Sequence, residues 1–182
     1  MTGLTVVVLA VGAIAAACGG GGASFEDPRL QEFDDAFTTP GQQHFPVGTV
    51  FSNYPTLPPY AGPHWEVPSR CGIYEQQQPI EAMVHSMEHG VVIFYFQPDL
   101  FRADEVAEMQ VVASGLLRDG LRLIMTPNRQ IDSAVVMTSW SRILPLNNFE
   151  PETVEAFAAA FDNKAPEDFP VGQACAGELH VR

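Results

Sequence analysis

The chain has 182 residues, with 22 acidic and 9 basic side chains and a formal net charge of −13. Acidity on this scale repels phosphate backbones and anionic headgroups, so neither nucleic acid nor electrostatic adhesion to lipid is expected. With an N-terminal leader set aside, about 165 residues remain, enough for one domain with its own core.

Residues 1–23 carry no charged side chain, and 4–17 are almost wholly apolar. A run of about 14 apolar residues is too short to cross a hydrocarbon core, which takes about 20, and it fits the apolar part of an export signal. Ala15-Ala16-Ala17 ahead of Cys18 is the small-residue pattern that a lipoprotein signal peptidase cleaves. The sequence therefore predicts a signal peptide over 1–17, then a lipidated Cys18 and Gly-rich tether over 18–24. A single globular domain over 25–182 follows, held outside the cytoplasm and attached to the cell membrane by the lipid on Cys18. The alternative is a plain secretory signal cleaved near Ala17.

Residues 24–39 are acidic and weakly patterned, a short helix or an ordered lead-in. Residues 45–69 are dense in turn formers (Pro46, Gly48, Pro55, Pro58, Pro59, Gly62, Pro63, Pro68). That density excludes helix and central strand and leaves a stiff, extended loop laid over the domain. The continuous apolar run 91–96 predicts a buried strand. Pro98-Asp99 opens a helix to about residue 117, with Val106, Met109, Ala113 and Leu116 at helical spacing, and Asp119-Gly120 ends it. A second strand covers 121–126, stopped by Pro127-Asn128, and a third covers 134–140. Pro151 sits near the start of a helix whose Val154, Phe157, Ala158 and Phe161 share one face and which ends by Asn163. The order β-α-β-β-α defines the α+β class, a small sheet packed by two helices. Ferredoxin-like and thioredoxin-like sheets both contain this order, but a thiol redox role by that analogy fails for want of a C-x-x-C motif.

With Cys18 assigned to lipid, Cys71 and Cys175 remain. They lie far apart, without zinc-type spacing, and in an oxidising compartment their default state is a disulfide. The sharper alternative gives Cys71 a role as thiolate nucleophile or copper ligand.

Four of the five histidines fall between 44 and 89: His44, His64, His85 and His89. On a helical turn His85 and His89, four apart, point to one face, and His64 sits on the stiff proline loop. Imidazole is a common borderline ligand for Zn(II) and Cu(II). Glu88 could orient a ring, ligate, or act as a base. His85-x-x-Glu88-His89 also spells the inverted zincin signature, but Gly90 and a strand follow at once, where such enzymes continue a long helix. Met83 and Met87 are more simply core filler than copper ligands. Trp65, Tyr54 and Tyr60 pin the loop or line a groove.

At these residues the chain resembles the domain-of-unknown-function family 3105 of bacterial exported proteins, over about residues 40–165. The carriers are His44-Phe-Pro-Val-Gly-Thr, Tyr54, Pro58-Pro59-Tyr-Ala-Gly62-Pro63-His64, Cys71-Gly72-Ile-Tyr74 and Val84-His85-Ser-Met-Glu88-His89-Gly90. The resemblance implies that the four histidines belong to one pattern and supplies no activity. Two departures matter: Tyr60-Ala61 stands where the family has Thr-Ser, removing a serine nucleophile, and Met87 stands where it has Leu.

The resulting expectation is a histidine-rich domain binding zinc or copper, with His64, His85 and His89 as ligands and His44 as a fourth ligand or a group behind them. Glu88 and Tyr54 stand behind the ligands, and Fe(II) enters if Glu88 ligates. The alternatives are a non-catalytic interaction module, its histidines only locking the proline loop, and a metal-assisted hydrolase with Glu88 as base. The protein partner is left open, as is the contribution of His180.

Overall fold

The computed structural model describes residues 24–34, 44–167 and 174–176. The expected signal peptide, Cys18 with residues 19–23 of the expected tether, and His180 lie outside these residues.

Among the described residues, eight strands and three α-helices follow one another. Strands β1 (Gln31–Glu32), β2 (His44–Phe45), β3 (His64–Trp65) and β4 (Gly72–Ile73) are two-residue pieces ahead of helix α1 (Ile80–Glu88). Then come β5 (Val92–Phe96), α2 (Ala103–Arg118), β6 (Leu123–Pro127), β7 (Val135–Ser139), β8 (Arg142–Leu146) and α3 (Pro151–Phe161). The main sheet has the order β1-β8-β7-β5-β6-β4. Strands β4, β6 and β5 run parallel, and β7, β8 and β1 alternate antiparallel from β5. Three adjacent parallel strands exclude the antiparallel ferredoxin-like sheet and leave the thioredoxin-like order.

The α+β class stands, and the sheet is larger than periodicity predicts. Strand β8 was not expected, because Pro145 interrupts its apolar run. It is tolerated because β1 reaches only Arg142 and Ile143, so the missing N–H breaks no ladder there. The long helix expected from Pro98 is divided: a 3-10 turn covers Pro98–Leu100, and α2 begins at Ala103. Of the lead-in expected over 24–39 as a short helix or an ordered segment, the described residues 24–34 hold the two-residue strand β1.

The sheet separates two cores. Successive side chains of β5 point to opposite faces: Val92, Phe94 and Phe96 pack with α2 and α3, whereas Ile93 and Tyr95 pack with α1 and the proline loop. Covering both faces makes β5 apolar throughout. On the α3 side, Phe157 is fully buried and meets Phe25 and Phe161 edge-on at 5.6 and 4.7 Å. On the α1 side, Met83 and Met87 are fully buried core residues, as expected of core filler. Tyr60 stacks on Phe33 at 3.9 Å, and Cys71 and Ala174 lie in the same core. The Cys71–Cys175 disulfide closes 104 residues of sequence separation, the bond expected of this pair in an oxidising compartment, and leaves Cys71 no free thiolate. A disulfide points to an oxidising, extracytoplasmic compartment. No helix of the described residues is long and apolar enough to cross a membrane.

Candidate metal centre

Helix α1 was missed by the element order, although the turn that places His85 and His89 together belongs to it. Its last turn is closed by Gly90 at φ +82°, with Val91 N–H donating to Ser86 O (3.0 Å) and Gly90 N–H to Met87 O (2.9 Å). This paired closure needs a left-handed residue just past the cap, which glycine adopts without strain. A β-carbon at Gly90 would also lie 2.8 Å from Asn163 Cα. The closure makes His89 the capping residue and leaves His85, Glu88 and His89 on one face.

The proline loop and the residue just ahead of it supply the other two imidazoles. Strands β2 and β3 pair in parallel with His44 opposite His64 and Phe45 opposite Trp65, which brings the His44 and His64 rings to 4.7 Å. Three contacts hold the loop: Tyr54 Oη donates to Pro63 O (2.5 Å), Trp65 Nε1 donates to Thr49 O (2.7 Å), and Ser86 Oγ accepts from Ser69 N–H (3.1 Å). Tyr54 thus braces the residue before His64. Gly62, at φ +125°, passes so close to Tyr54 that a β-carbon would lie 3.2 Å from its ring.

Two backbone carbonyls set the tautomers. His64 Nδ1 lies 2.8 Å from Gly62 O, and His85 Nδ1 lies 2.6 Å from Trp65 O. A carbonyl only accepts, so each Nδ1 carries a hydrogen, and in the neutral ring Nε2 is then the atom that presents a lone pair. His64 Nε2 lies 3.1 Å and His44 Nε2 3.4 Å from Glu88 Oε2. His64 Nε2 is buried and makes no hydrogen bond despite that proximity. One ligand atom from each of His44, His64, His85 and Glu88 falls within 4.8 Å of all the others. His85 Nε2 is also 3.1 Å from His89 Nε2. Glu88 is fully buried and His64 nearly so, whereas the His44 side chain is 35% exposed.

Burial, aided by the neighbouring His89 and His64 rings, holds His85 down at about 3. Burial likewise holds His89 down at about 4, with Glu88 pulling the other way. Both rings are therefore neutral at pH 7, the form that coordinates metal. Burial, with Glu88 nearby, pushes Glu167 up.

The structure brings His44, His64, His85 and Glu88 to one point and sets His89 beside them. Glu88, read from sequence as a group that could orient a ring, ligate or act as a base, stands among the imidazole nitrogens themselves. Sequence reasoning missed Glu167 altogether. Its Oε2 lies 3.3 Å from His89 Nε2, and Glu88, His89 and Glu167 form a second converging group. An acidic residue in the proline-containing sequence Ala165-Pro166-Glu167-Asp168 carries no signal for this.

Fold and site define a disulfide-bonded α+β domain whose buried histidine–carboxylate group can hold a metal ion. A family model described as protein of unknown function (DUF3105) matches residues 48–177, and the chain belongs to that family. The matched span includes His64, His85, Glu88, His89 and Glu167, with His44 just ahead of it. The chain has no significant match among curated proteins or solved structures.

Proposed function

We propose that this protein is an extracytoplasmic metal-binding domain in which His44, His64, His85 and Glu88 coordinate one Zn(II) or Cu(II) ion. The observation that carries the reading is the contact between His64 Nε2 and Glu88 Oε2, 3.1 Å apart in the buried interior. The Gly62 carbonyl accepts a hydrogen bond from Nδ1–H, so in the neutral ring a lone pair on Nε2 faces a carboxylate oxygen, a contact that needs a proton or a cation between the two atoms. A proton can serve one such contact, but a divalent ion serves several. Ligands 2.0–2.1 Å from zinc at tetrahedral angles lie about 3.3–3.4 Å apart, close to the 3.1 and 3.4 Å separations of His64 and His44 from Glu88. Three imidazoles and a carboxylate suit borderline Zn(II) or Cu(II), whereas Cu(I) prefers sulfur. The carbonyls of Gly62 and Trp65 fix the ring orientations, as partners of metal-bound histidines ordinarily do.

Elemental analysis of protein purified without chelator, beside a His64→Ala/His85→Ala variant, tests this reading. The wild type should retain metal and the variant should lose it; equal content in both removes the proposal. If the histidines only lock the proline loop, chelator leaves the melting temperature unchanged. Attachment through a lipid on Cys18 belongs to the same reading and is supported by the disulfide, which fits an oxidising compartment. Mass spectrometry of the membrane-extracted N-terminal peptide should show the lipid, and an unmodified Cys18 there refutes the anchor.

A further inference from the structure

Resting on the metal-binding reading, we infer that Glu88 bridges to a second divalent-cation position formed by His89 and Glu167, making the centre dinuclear. The two converging groups share one residue, Glu88. A carboxylate has two oxygens and can bind an ion with each, the usual way proteins hold paired ions about 3.5–4 Å apart.

His89 Nε2 faces His85 Nε2 at 3.1 Å and Glu167 Oε2 at 3.3 Å. His85 Nε2 is a lone pair, because Trp65 O accepts its Nδ1–H, and a carboxylate oxygen also only accepts. His89 Nε2 carries at most one hydrogen, which can serve only one of these two acceptors, and a cation beside His89, Glu167 and Glu88 takes the place of the missing donor. Both positions have one edge toward solvent, His44 at 35% side-chain exposure in the first and Glu167 at 29% in the second. They differ in ligand number: the second has three protein ligands against four, which leaves more coordination places for water. It is the weaker and more exchangeable of the two.

The test titrates metal-stripped protein with Zn(II) and counts retained ions by elemental analysis after gel filtration, with Cu(II) followed in parallel by electron paramagnetic resonance. Wild type should retain two ions per chain, and Glu167→Gln and His89→Ala one each. Glu167 is on the partly exposed rim, so its amide variant should fold even if His89→Ala does not. The second Cu(II) equivalent should diminish the signal of the first, because a carboxylate bridge couples the two spins. One ion in the wild type overturns this inference and leaves the proposed function standing; no ion in the wild type overturns both. A second ion that persists in both variants lies elsewhere on the acidic surface, and a signal that doubles with the second equivalent shows no bridge. Either result refutes the assignment.

Discussion

Replacing Glu88 by Gln separates a metal ligand from a purely structural carboxylate, because the two roles predict opposite signs in metal-free protein. Glu88 is fully buried, with Oε2 3.1 Å from the lone pair of His64 Nε2. The amide of Gln can donate a hydrogen bond across that gap. In chelated protein Glu88→Gln should therefore gain about 1 kcal/mol, the net worth of one hydrogen bond. At 2–4 °C per kcal/mol for a chain of this size, the melting temperature should rise by about 2–4 °C. If Glu88 instead held a protonated imidazole as a buried ion pair, removing its charge would cost about 3–5 kcal/mol, a fall of at least about 6 °C. In metal-loaded protein the order reverses. An ion at 100 times its dissociation constant adds about 2.7 kcal/mol, and the variant should forfeit most of that along with its bound metal. The assay is thermal unfolding of both proteins with and without chelator, paired with metal content. A chelated variant that melts 6 °C or more below chelated wild type would refute the reasoning, and so would a variant with full metal content.

In chelated protein, stability should also fall with acid. The depressed His85 and His89 bind fewer protons folded, at about 3 and about 4, than unfolded. Their contribution is complete above about pH 6.5 and is lost as pH drops toward the folded values, by up to about 1.4 kcal/mol per pH unit for each ring. Urea midpoints at pH 7, 5.5 and 4.5 would check this, and a flat profile would count against neutral, buried rings. Phe157→Ala should destabilise by about 3–5 kcal/mol through its cavity yet keep its metal, because α3 lies on the opposite face of the sheet from the histidines; denaturant unfolding with metal analysis tests both halves. The double variant Cys71→Ser/Cys175→Ser should lose up to about 4.7 kcal/mol for a loop of about 100 residues, read from the urea midpoint.

Local pattern was enough for the regular half of the chain. The runs that became β5, β6 and β7 announced buried strands, the spacing of Met109, Ala113 and Leu116 announced α2, and that of Val154, Phe157 and Ala158 announced α3. Each signal comes from a residue's own neighbours and from the period of the backbone. The histidines were visible as chemistry, and the Cys71–Cys175 pair followed by elimination. Strand β8 was hidden because Pro145 reads as a breaker unless one knows that the strand β1 beside it stops short. Helix α1 was hidden because its nine residues, Ile80–Glu88, carry polar groups on the face that turns toward the histidine loop.

What only the folded chain decided is which atoms face one another. No local rule sets His44 opposite His64, since that register belongs to a two-residue parallel pairing across 20 positions. Nor does any rule bring Glu167 to His89 or put Glu88 among the nitrogens instead of behind them. Residue type and spacing settle what a side chain can do. Its partners depend on long-range packing, which holds buried acceptors together only where the remaining contacts of the core outweigh their mutual repulsion.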